Sequence, residues 1–268
     1  MNDLAQILPA DFARRHLRTG RQLIEAQRDR PDDGTMATGT GLDELLRGGL
    51  ERGRLTELTG RGARFSVVVA ALAATTRGGE AAALLDLGDG FDPRGARAAG
   101  VELERLLWAR PRSTKELLRC AEAVLDAALP LVVLELGLPP VPGGRGAEAF
   151  WLRLARAAQS QRTALLVSSP YRACGTAAHT VIESRARRGR WLGRGLQPRL
   201  LDGAVGRLQI VKGSAKGGPA DRGWHQATGV ELSLRLSSAV AVLDEPTERA
   251  ARERPTARER EMPRWATA

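Results

Sequence analysis

The sequence predicts an α/β fold in which a mostly parallel sheet is flanked by helices. Between residues 36 and 170, short apolar runs alternate with helical segments, a pattern typical of parallel strands joined by right-handed crossovers. The run Leu131–Leu136 is apolar at nearly every position and is expected to be a central strand, buried on both faces. Beyond residue 170, three segments alternate with period two and predict antiparallel strands that extend the sheet.

The elements of this core follow one another in a regular order. A short helix over 42–46 is expected to be closed by Gly48-Gly49 as its C-cap. Ser113 and Glu116 form a capping box that predicts the start of a longer helix. The further predicted strands cover 55–58, 81–86, 106–109, 131–136, 163–168, 180–183, 205–211 and 230–236, and the further helices cover 66–74, 93–99, 113–127 and 147–160.

Two appendages flank the predicted core, which spans residues 36–243. Residues 1–35 are interpreted as a helical arm and linker, because Leu4, Ile7 and Leu8 share an apolar face and a polar Pro/Gly segment follows. The arm could dock on a partner or pack on its own core. Residues 244–268 are rich in charge and proline and predict a disordered tail, with Trp265 as a candidate partner anchor.

Composition narrows the class of protein without identifying it. The net charge of +10 favours anionic partners. No run approaches the ~20 apolar residues of a membrane span, and the N-terminus is a poor signal peptide. The two cysteines have neither metal-ligand nor redox spacing. We therefore expect a cytoplasmic protein without a structural metal.

The segment around Gly60 has the arrangement of a nucleotide site but lacks its chemistry. A phosphate loop follows a strand, opens a helix and reads G-x-x-x-x-G-K-[ST]. Counted from Gly60, the second Gly, the Lys and the hydroxyl positions hold Phe65, Ser66 and Val67. We predict a structural remnant built on Gly60 and Gly62, with weak anion binding through Arg61 or Arg64 as the alternative.

The order of these residues resembles that of the bacterial recombinase RecA. The resemblance covers roughly residues 36–236 and rests on Thr38-Gly39, Leu42-Asp43, Gly48-Gly49-Leu50, Gly53-Arg54, Glu57, Gly60, Leu85-Asp86, Asp92-Pro93, Ala96-Arg97, Gly100-Val101, Leu106-Leu107, Pro111, the 131–136 strand and, more loosely, Leu208–Lys212. It implies a RecA-like core with antiparallel strands added toward the C-terminus.

The departures from that pattern occur where the resemblance would place catalysis. Gly88 stands at the position of the catalytic Glu, Glu135 replaces the Walker B Asp, and the γ-phosphate sensor falls on or near Pro170. Together with the missing phosphate-loop Lys, these losses predict a protein that is not an enzyme and needs no ATP. The degenerate nucleotide loop then comprises Gly60, Gly62, Arg64, Phe65, Ser66, Val67, Gly88 and Glu135.

This combination resembles the ImuA family of RecA-like accessory proteins. The resemblance implies a role in the SOS response to DNA damage, in mutagenic translesion synthesis. The implied partners are an ImuB-type polymerase-like scaffold, RecA and a DnaE-type error-prone polymerase, with nucleoid association during damage. Two alternatives remain open: a divergent DNA-stimulated ATPase that uses Arg64 and Glu135, and an SOS-type inhibitor of cell division.

Two further groups of side chains invite a functional interpretation. Asp86, Asp89 and Asp92 could suggest a metal site, but a strand-end turn and a helix cap explain them without a ligand. A basic run with one aromatic, Trp191, predicts a flexible loop that binds single-stranded DNA, or else a solvated loop or a surface for an acidic partner. The basic residues are Arg185, Arg187, Arg188, Arg190, Arg194, Arg199, Lys212 and Lys216.

Overall fold

The computed structural model describes residues 34–140, 145–193, 200–213 and 229–235. Within them lies an eight-stranded sheet whose strand order is β10-β9-β8-β3-β7-β6-β4-β5. Its strands are β3 (Leu55–Thr59), β4 (Ala82–Asp86), β5 (Leu106–Ala109), β6 (Leu131–Glu135), β7 (Ala164–Ser169), β8 (Thr180–Leu192), β9 (Leu200–Lys212) and β10 (Gly229–Arg235). A two-stranded sheet pairs β1 (Thr35–Met36) with β2 (Leu50–Glu51).

Five α-helices connect these strands within the described residues. They are α1 (Gly41–Leu46), α2 (Arg64–Arg77), α3 (Pro93–Ala98), α4 (Thr114–Asp126) and α5 (Arg145–Gln161). Strands β3 to β7 are all parallel, as the alternation of apolar runs and helical segments predicted. β6 lies between β4 and β7, which confirms the central position expected for the run at 131–136.

Helices cover both faces of the parallel strands, which is why those strands are apolar at successive positions. One core places Leu42 of α1 and Leu72 of α2 against Leu84 of β4. The other places Leu117 of α4 and Leu154 of α5 on the opposite face, the face to which Leu85 and Val132 contribute. All of the residues of β3, β4, β6 and β7 are buried.

The first helix ends differently from the prediction. Thr40 caps its N-terminus by accepting a hydrogen bond from the Leu42 amide, at 3.1 Å. Its C-cap is Arg47, with a left-handed φ of 55°, and not the Gly48-Gly49 pair. Gly49 instead allows the chain to pass against the backbone of Met36, which a side chain at that position would overlap. The glycines therefore serve packing next to β1 more than termination of the helix.

The predicted antiparallel extension is correct for β9 and β10 but not for the start of β8. Thr180–Glu183 pairs in parallel with β3, and only the partner on its other side, β9, runs antiparallel. β8 then continues well past the end of β3, to Leu192. Among the described residues, no helix is both long and apolar enough to cross a membrane.

Candidate functional site

The segment with the phosphate-loop arrangement has the predicted local structure. β3 ends at Thr59, residues 60–63 form a loop, and α2 begins at Arg64. The N-cap residue, Ala63, contributes no side-chain hydrogen bond to the helix. Val67, at the position where a hydroxyl would ligate a magnesium ion, is completely buried in the core. It therefore acts as a packing residue.

The two glycines of this loop lie directly against the backbone of β8. Gly60 has φ +99° and Gly62 has φ +145°, values that side chains rarely allow. A Cβ on Gly62 would lie 2.6 Å from the Ala186 amide nitrogen, and one on Gly60 would overlap the Ser184 carbonyl oxygen. The Ala186 amide also donates to the Arg61 carbonyl, at 3.3 Å. Packing against β8 thus explains both glycines without a phosphate.

Arg64, the first residue of α2, makes the most notable contacts of the site. Its Nη1 donates to both carboxylate oxygens of Glu135, at 2.6 and 2.5 Å, and to the Ser168 hydroxyl. The Arg64 side chain is 14% exposed and the Glu135 side chain is 4% exposed. Arg64, Glu135 and Ser168, which we call the Arg64 centre, therefore join α2, β6 and β7 by a buried, charge-assisted network.

The sheet register explains why these residues meet. Asp86 pairs with Glu135, and Glu135 pairs with Ser168, across three neighbouring parallel strands. The carboxyl ends of these strands therefore form one row of polar side chains, which is where ligands bind in open α/β sheets. Sequence reasoning identified Arg64 and Glu135 but missed Ser168, because the expected sensor position fell on Pro170. The signal available was the polar pair Ser168-Ser169 at the end of an apolar strand.

The turn after β4 is tightly packed at Gly88, the position where the resemblance to RecA would put a catalytic Glu. Gly88 lies against Gly137, so a Cβ on Gly88 would be 2.8 Å from the Gly137 Cα. The Leu87 amide donates to the Glu135 carbonyl, at 2.9 Å, which ties this turn to the end of β6. A larger residue at position 88 would force these two backbones apart.

The aspartates of that turn all have partners within the protein. Asp86 accepts from the amides of Gly90 and Phe91, at 3.2 and 2.9 Å, and Asp92 caps α3. Asp89 forms a bidentate pair with Arg110, at 2.7 Å for each bond, which lowers the pKa of its carboxyl. These contacts are those of a turn and a helix cap, and no potential metal-binding cluster occurs in the described parts of the chain.

A buried acid next to the site has a structural explanation. Glu57 on β3 is fully buried and accepts from the amides of Ala173 and Cys174, at 2.5 and 3.0 Å. This holds the segment after β7 against the sheet. Burial, with Glu57 as a further cause, raises the pKa of the Cys174 thiol well above its ordinary value. Cys174 is therefore an inert core residue, as its lack of functional spacing suggested.

The predicted basic loop is mostly a strand. Residues 185–192 belong to β8 and pair with β9, so the loop prediction is wrong for them. Arg185 and Arg188 are exposed, and Trp191 is 56% exposed. Lys212, at the end of β9, donates to the carbonyls of Gly175 and Thr176. Of Arg187 and Arg190 only the backbone is described. The other predicted partner or DNA contacts lie outside the described residues: Leu4, Ile7, Leu8, Arg194, Arg199, Lys216 and Trp265.

Comparison with known proteins agrees with the geometry. The RecA N-terminal domain matches residues 20–140. Together with the sheet order and the phosphate-loop arrangement, this match supports a RecA-like core.

Individual relatives show the same similarity over a limited stretch. Protein RecA of Picosynechococcus sp. is 33% identical over 104 residues, covering 38% of this chain and 30% of the relative. Protein RecA of Chlorobaculum tepidum is 34% identical over 98 residues, covering 35% and 28%. The chain thus spans less than a third of the length of these two relatives.

Proposed function

We propose that this protein is a non-catalytic RecA-like accessory factor in DNA-damage-induced translesion synthesis, of the ImuA type. It would act with an ImuB-type polymerase-like scaffold, RecA and a DnaE-type error-prone polymerase, and it would contact single-stranded DNA. The observation that carries the proposal is the Arg64 centre. In it, Arg64, the first residue of the helix after the phosphate loop, is already bound to the acid that stands in the Walker B place.

A nucleotide would have to compete with this internal pair. To reach a phosphate, Arg64 would leave Glu135 and expose a carboxylate that is now only 4% exposed to solvent. Removing one partner from a buried ion pair typically costs about 3–5 kcal/mol. The affinity gained from a single replacement cation would be reduced by that amount. The loop therefore supports a structural role better than a nucleotide-dependent one.

The same bridge suggests how the protein would work without ATP. It ties the start of α2 to the ends of β6 and β7, which are the elements that a bound nucleotide would touch in this type of fold. The surface around the site would then be held in one arrangement at all times. Partners would meet a constant surface, and assembly would not depend on a nucleotide cycle.

Nucleotide binding is the first point to test. A fluorescent ATP analogue is titrated with Mg²⁺, with and without single-stranded DNA, beside native RecA as the positive control. We expect saturation for RecA and none for this protein at millimolar nucleotide. Saturable binding by this protein would contradict the proposal.

The partner assignment needs a separate experiment. Tagged full-length protein is used to capture purified ImuB-type scaffold and RecA, each alone, with an unrelated arginine-rich protein as the control. We expect retention of at least one of the two. Absence of both from the captured fraction would remove the accessory role even if nucleotide binding is absent.

A divergent ATPase is the second candidate, and the closeness of Arg64 and Glu135 favours it. In that case Arg64 would turn to the phosphates on binding, and Glu135 would be released for magnesium or water. DNA-stimulated phosphate release that disappears in Glu135→Gln would establish this alternative. No release above that of the Glu135→Gln variant would exclude it.

A further inference from the structure

A cleft of about 330 Å³ lies at the edge of the sheet opposite to the Arg64 centre. Its walls come from the amino end of β3, the second half of α5, the segment that leads into β8 and the end of β9. We call it the Arg54 cleft. The lining side chains on which its chemistry depends are Arg54, Leu152, Arg156, Gln159, His179 and Lys212.

One wall of the cleft is a single face of α5. Leu152, Ala155, Arg156 and Gln159 follow the i, i+3, i+4, i+7 spacing that places side chains on one side of a helix. A neighbouring side of the helix, which includes Leu154, is buried in the core. The cleft-lining face therefore presents an apolar side chain, a guanidinium group and an amide together.

The other wall is held in place by hydrogen bonds. The His179 amide donates to the Leu55 carbonyl at 2.9 Å. The Lys212 ammonium group donates to the carbonyls of Gly175 and Thr176, at 3.2 and 3.1 Å. Because an ammonium group has three N–H bonds, Lys212 keeps one donor for a ligand. The cleft is thus preformed, and a ligand would not have to order this wall on binding.

The cations of the cleft are largely without partners. Arg54, Arg156 and Lys212 line it, whereas no acidic residue does so in the described part of the chain. Both arginines are exposed, and neither guanidinium group has a hydrogen-bond or ion-pair partner among the described residues. Uncompensated cations that line one cleft attract anionic ligands.

Two acids border the cleft without neutralising it. Glu51 lies 3.5 Å from the His179 imidazole, and Glu148 accepts from the Thr176 hydroxyl at 2.6 Å. Neither acid forms an ion pair with Lys212 or with the arginines of the cleft. Counting both acids against the three cations, with the imidazole taken as neutral, still leaves a net positive charge.

The chemistry of the cleft suits carboxylates carried on a peptide. Guanidinium groups bind carboxylates through paired hydrogen bonds, and Leu152, which is 36% exposed, offers a contact for an apolar side chain. The described lining contains no Trp, Tyr or Phe on which a nucleic-acid base could stack. α5 contributes its second half and not its N-terminus, so the helix supplies no free amides for a phosphate.

We propose that the Arg54 cleft binds a short acidic peptide segment of a partner protein. Carboxylates of the segment pair with Arg54 and Arg156, and one of its apolar side chains packs on Leu152. This inference goes beyond the proposed function, because it concerns the edge of the sheet away from the Arg64 centre and involves no nucleotide.

Fluorescence anisotropy with a labelled Glu-Leu-Glu-Asp-Leu-Glu peptide tests the cleft. The full chain is compared with Arg54→Glu/Arg156→Glu, with Arg54→Gln/Arg156→Gln and with Leu152→Ser. The matched control is Arg94→Glu/Arg119→Glu, which changes the net charge equally at two exposed arginines on α3 and α4. A Gln-Leu-Gln-Asn-Leu-Gln peptide and an oligothymidine serve as alternative ligands, and circular dichroism verifies that each variant is folded.

We expect the wild type to bind the acidic peptide and not its uncharged counterpart. Arg54→Glu/Arg156→Glu should weaken binding about tenfold or more, because two charge-assisted pairs are lost, while the control double reversal retains most of its affinity. The glutamine variant should fall between the wild type and the double reversal. Leu152→Ser should weaken binding about threefold, since it removes only an apolar contact.

Four results would overturn the proposal. They are absence of saturable binding by the wild type, equal losses in the cleft variant and the control, equal binding of the uncharged peptide, and oligothymidine that binds more tightly and loses affinity in the same cleft variant. None of them bears on the nucleotide titration or on the capture of RecA and the ImuB-type scaffold. Failure of the cleft proposal is therefore distinguishable from failure of the proposed function.

Discussion

Two regions of the molecule differ in how their arginines are buried and paired. One is the Arg64 centre, and the other is the pair of Arg185 and Arg207, which lie directly opposite each other on β8 and β9. Arg64 is almost buried and has a full carboxylate partner. Arg185 is exposed and paired with Glu183, while Arg207 lies between Arg185 and Glu231 in the sheet register. Burying a charge without a partner is energetically costly, whereas an exposed charge remains hydrated and needs no partner within the protein. The difference shows that the positive charge of the chain is divided between internal structure and surface.

The largest change in stability is expected when one member of the Arg64 centre is removed. Arg64→Met should leave Glu135 buried without its partner and lower the free energy of unfolding by about 3–5 kcal/mol. Urea denaturation followed by circular dichroism measures the loss.

The double variant Arg64→Met/Glu135→Leu provides the control for that experiment. Replacing both charges by apolar groups of similar volume should recover much of the stability. If the double variant is no more stable than Arg64→Met, the unpaired Glu135 carboxylate is not the reason that Arg64→Met is destabilised. Exposed Arg119→Met should have no measurable effect.

Placing a Glu at position 88, where the resemblance to RecA would put the catalytic acid, tests how tightly the turn after β4 is packed. Gly88→Glu should destabilise the protein by about 1–3 kcal/mol, because the new Cβ would lie 2.8 Å from the Gly137 Cα. It should also fail to create phosphate release. Gly90→Ala is the matched control, since a Cβ there meets nothing within 4 Å. Equal midpoints for both variants would show that the turn opens freely.

The pair of Arg185 and Arg207 should behave in the opposite way to the Arg64 centre. We expect Arg207→Gln, which ends the direct opposition of two arginines without creating another like-charge pair, to leave the urea midpoint nearly unchanged, because Arg207 lies between Arg185 and Glu231 in the sheet register. A large fall in the midpoint would mean that these arginines serve the fold, and the contrast between the two regions would disappear.

A smaller effect is expected from the exposed Asp89–Arg110 pair. Arg110 lowers the pKa of Asp89, so the stabilisation is present above the ordinary carboxyl pKa and is lost as the pH falls through the lowered value. Asp89→Asn should therefore be slightly less stable than the wild type at neutral pH and equal to it in strong acid. Denaturation midpoints measured across this range check the sign, and a difference that grows toward low pH would contradict it.

Much of the parallel core could be predicted from the sequence because its signals are local. The strand 106–109 was predicted with the bounds observed, and the capping role of Ser113 is confirmed by its bond to the Glu116 amide. Uninterrupted apolar runs indicate strands that are buried on both faces, and N-cap residues indicate where helices begin. Neither depends on distant residues.

The full length of β8 could not be predicted from such local signals. Its second half carries arginines, a glycine and register shifts between Ala186 and Arg188 and between Arg190 and Trp191. These features resemble a loop, since a bulge breaks the period-two pattern that identifies a strand. Its strand structure comes from pairing with β9, which is a long-range contact.

The sequence by itself determined the α/β class, the phosphate-loop arrangement at Gly60 and the absence there of the Lys and hydroxyl of a working site. Only the tertiary structure decided which partners Arg64 and Glu135 have at this position. Sheet register brought Glu135 beside Ser168, and the start of α2 placed Arg64 over both. The same register set Arg185 opposite Arg207. Residue types specify what a side chain can bind, but strand pairing decides which partners reach it.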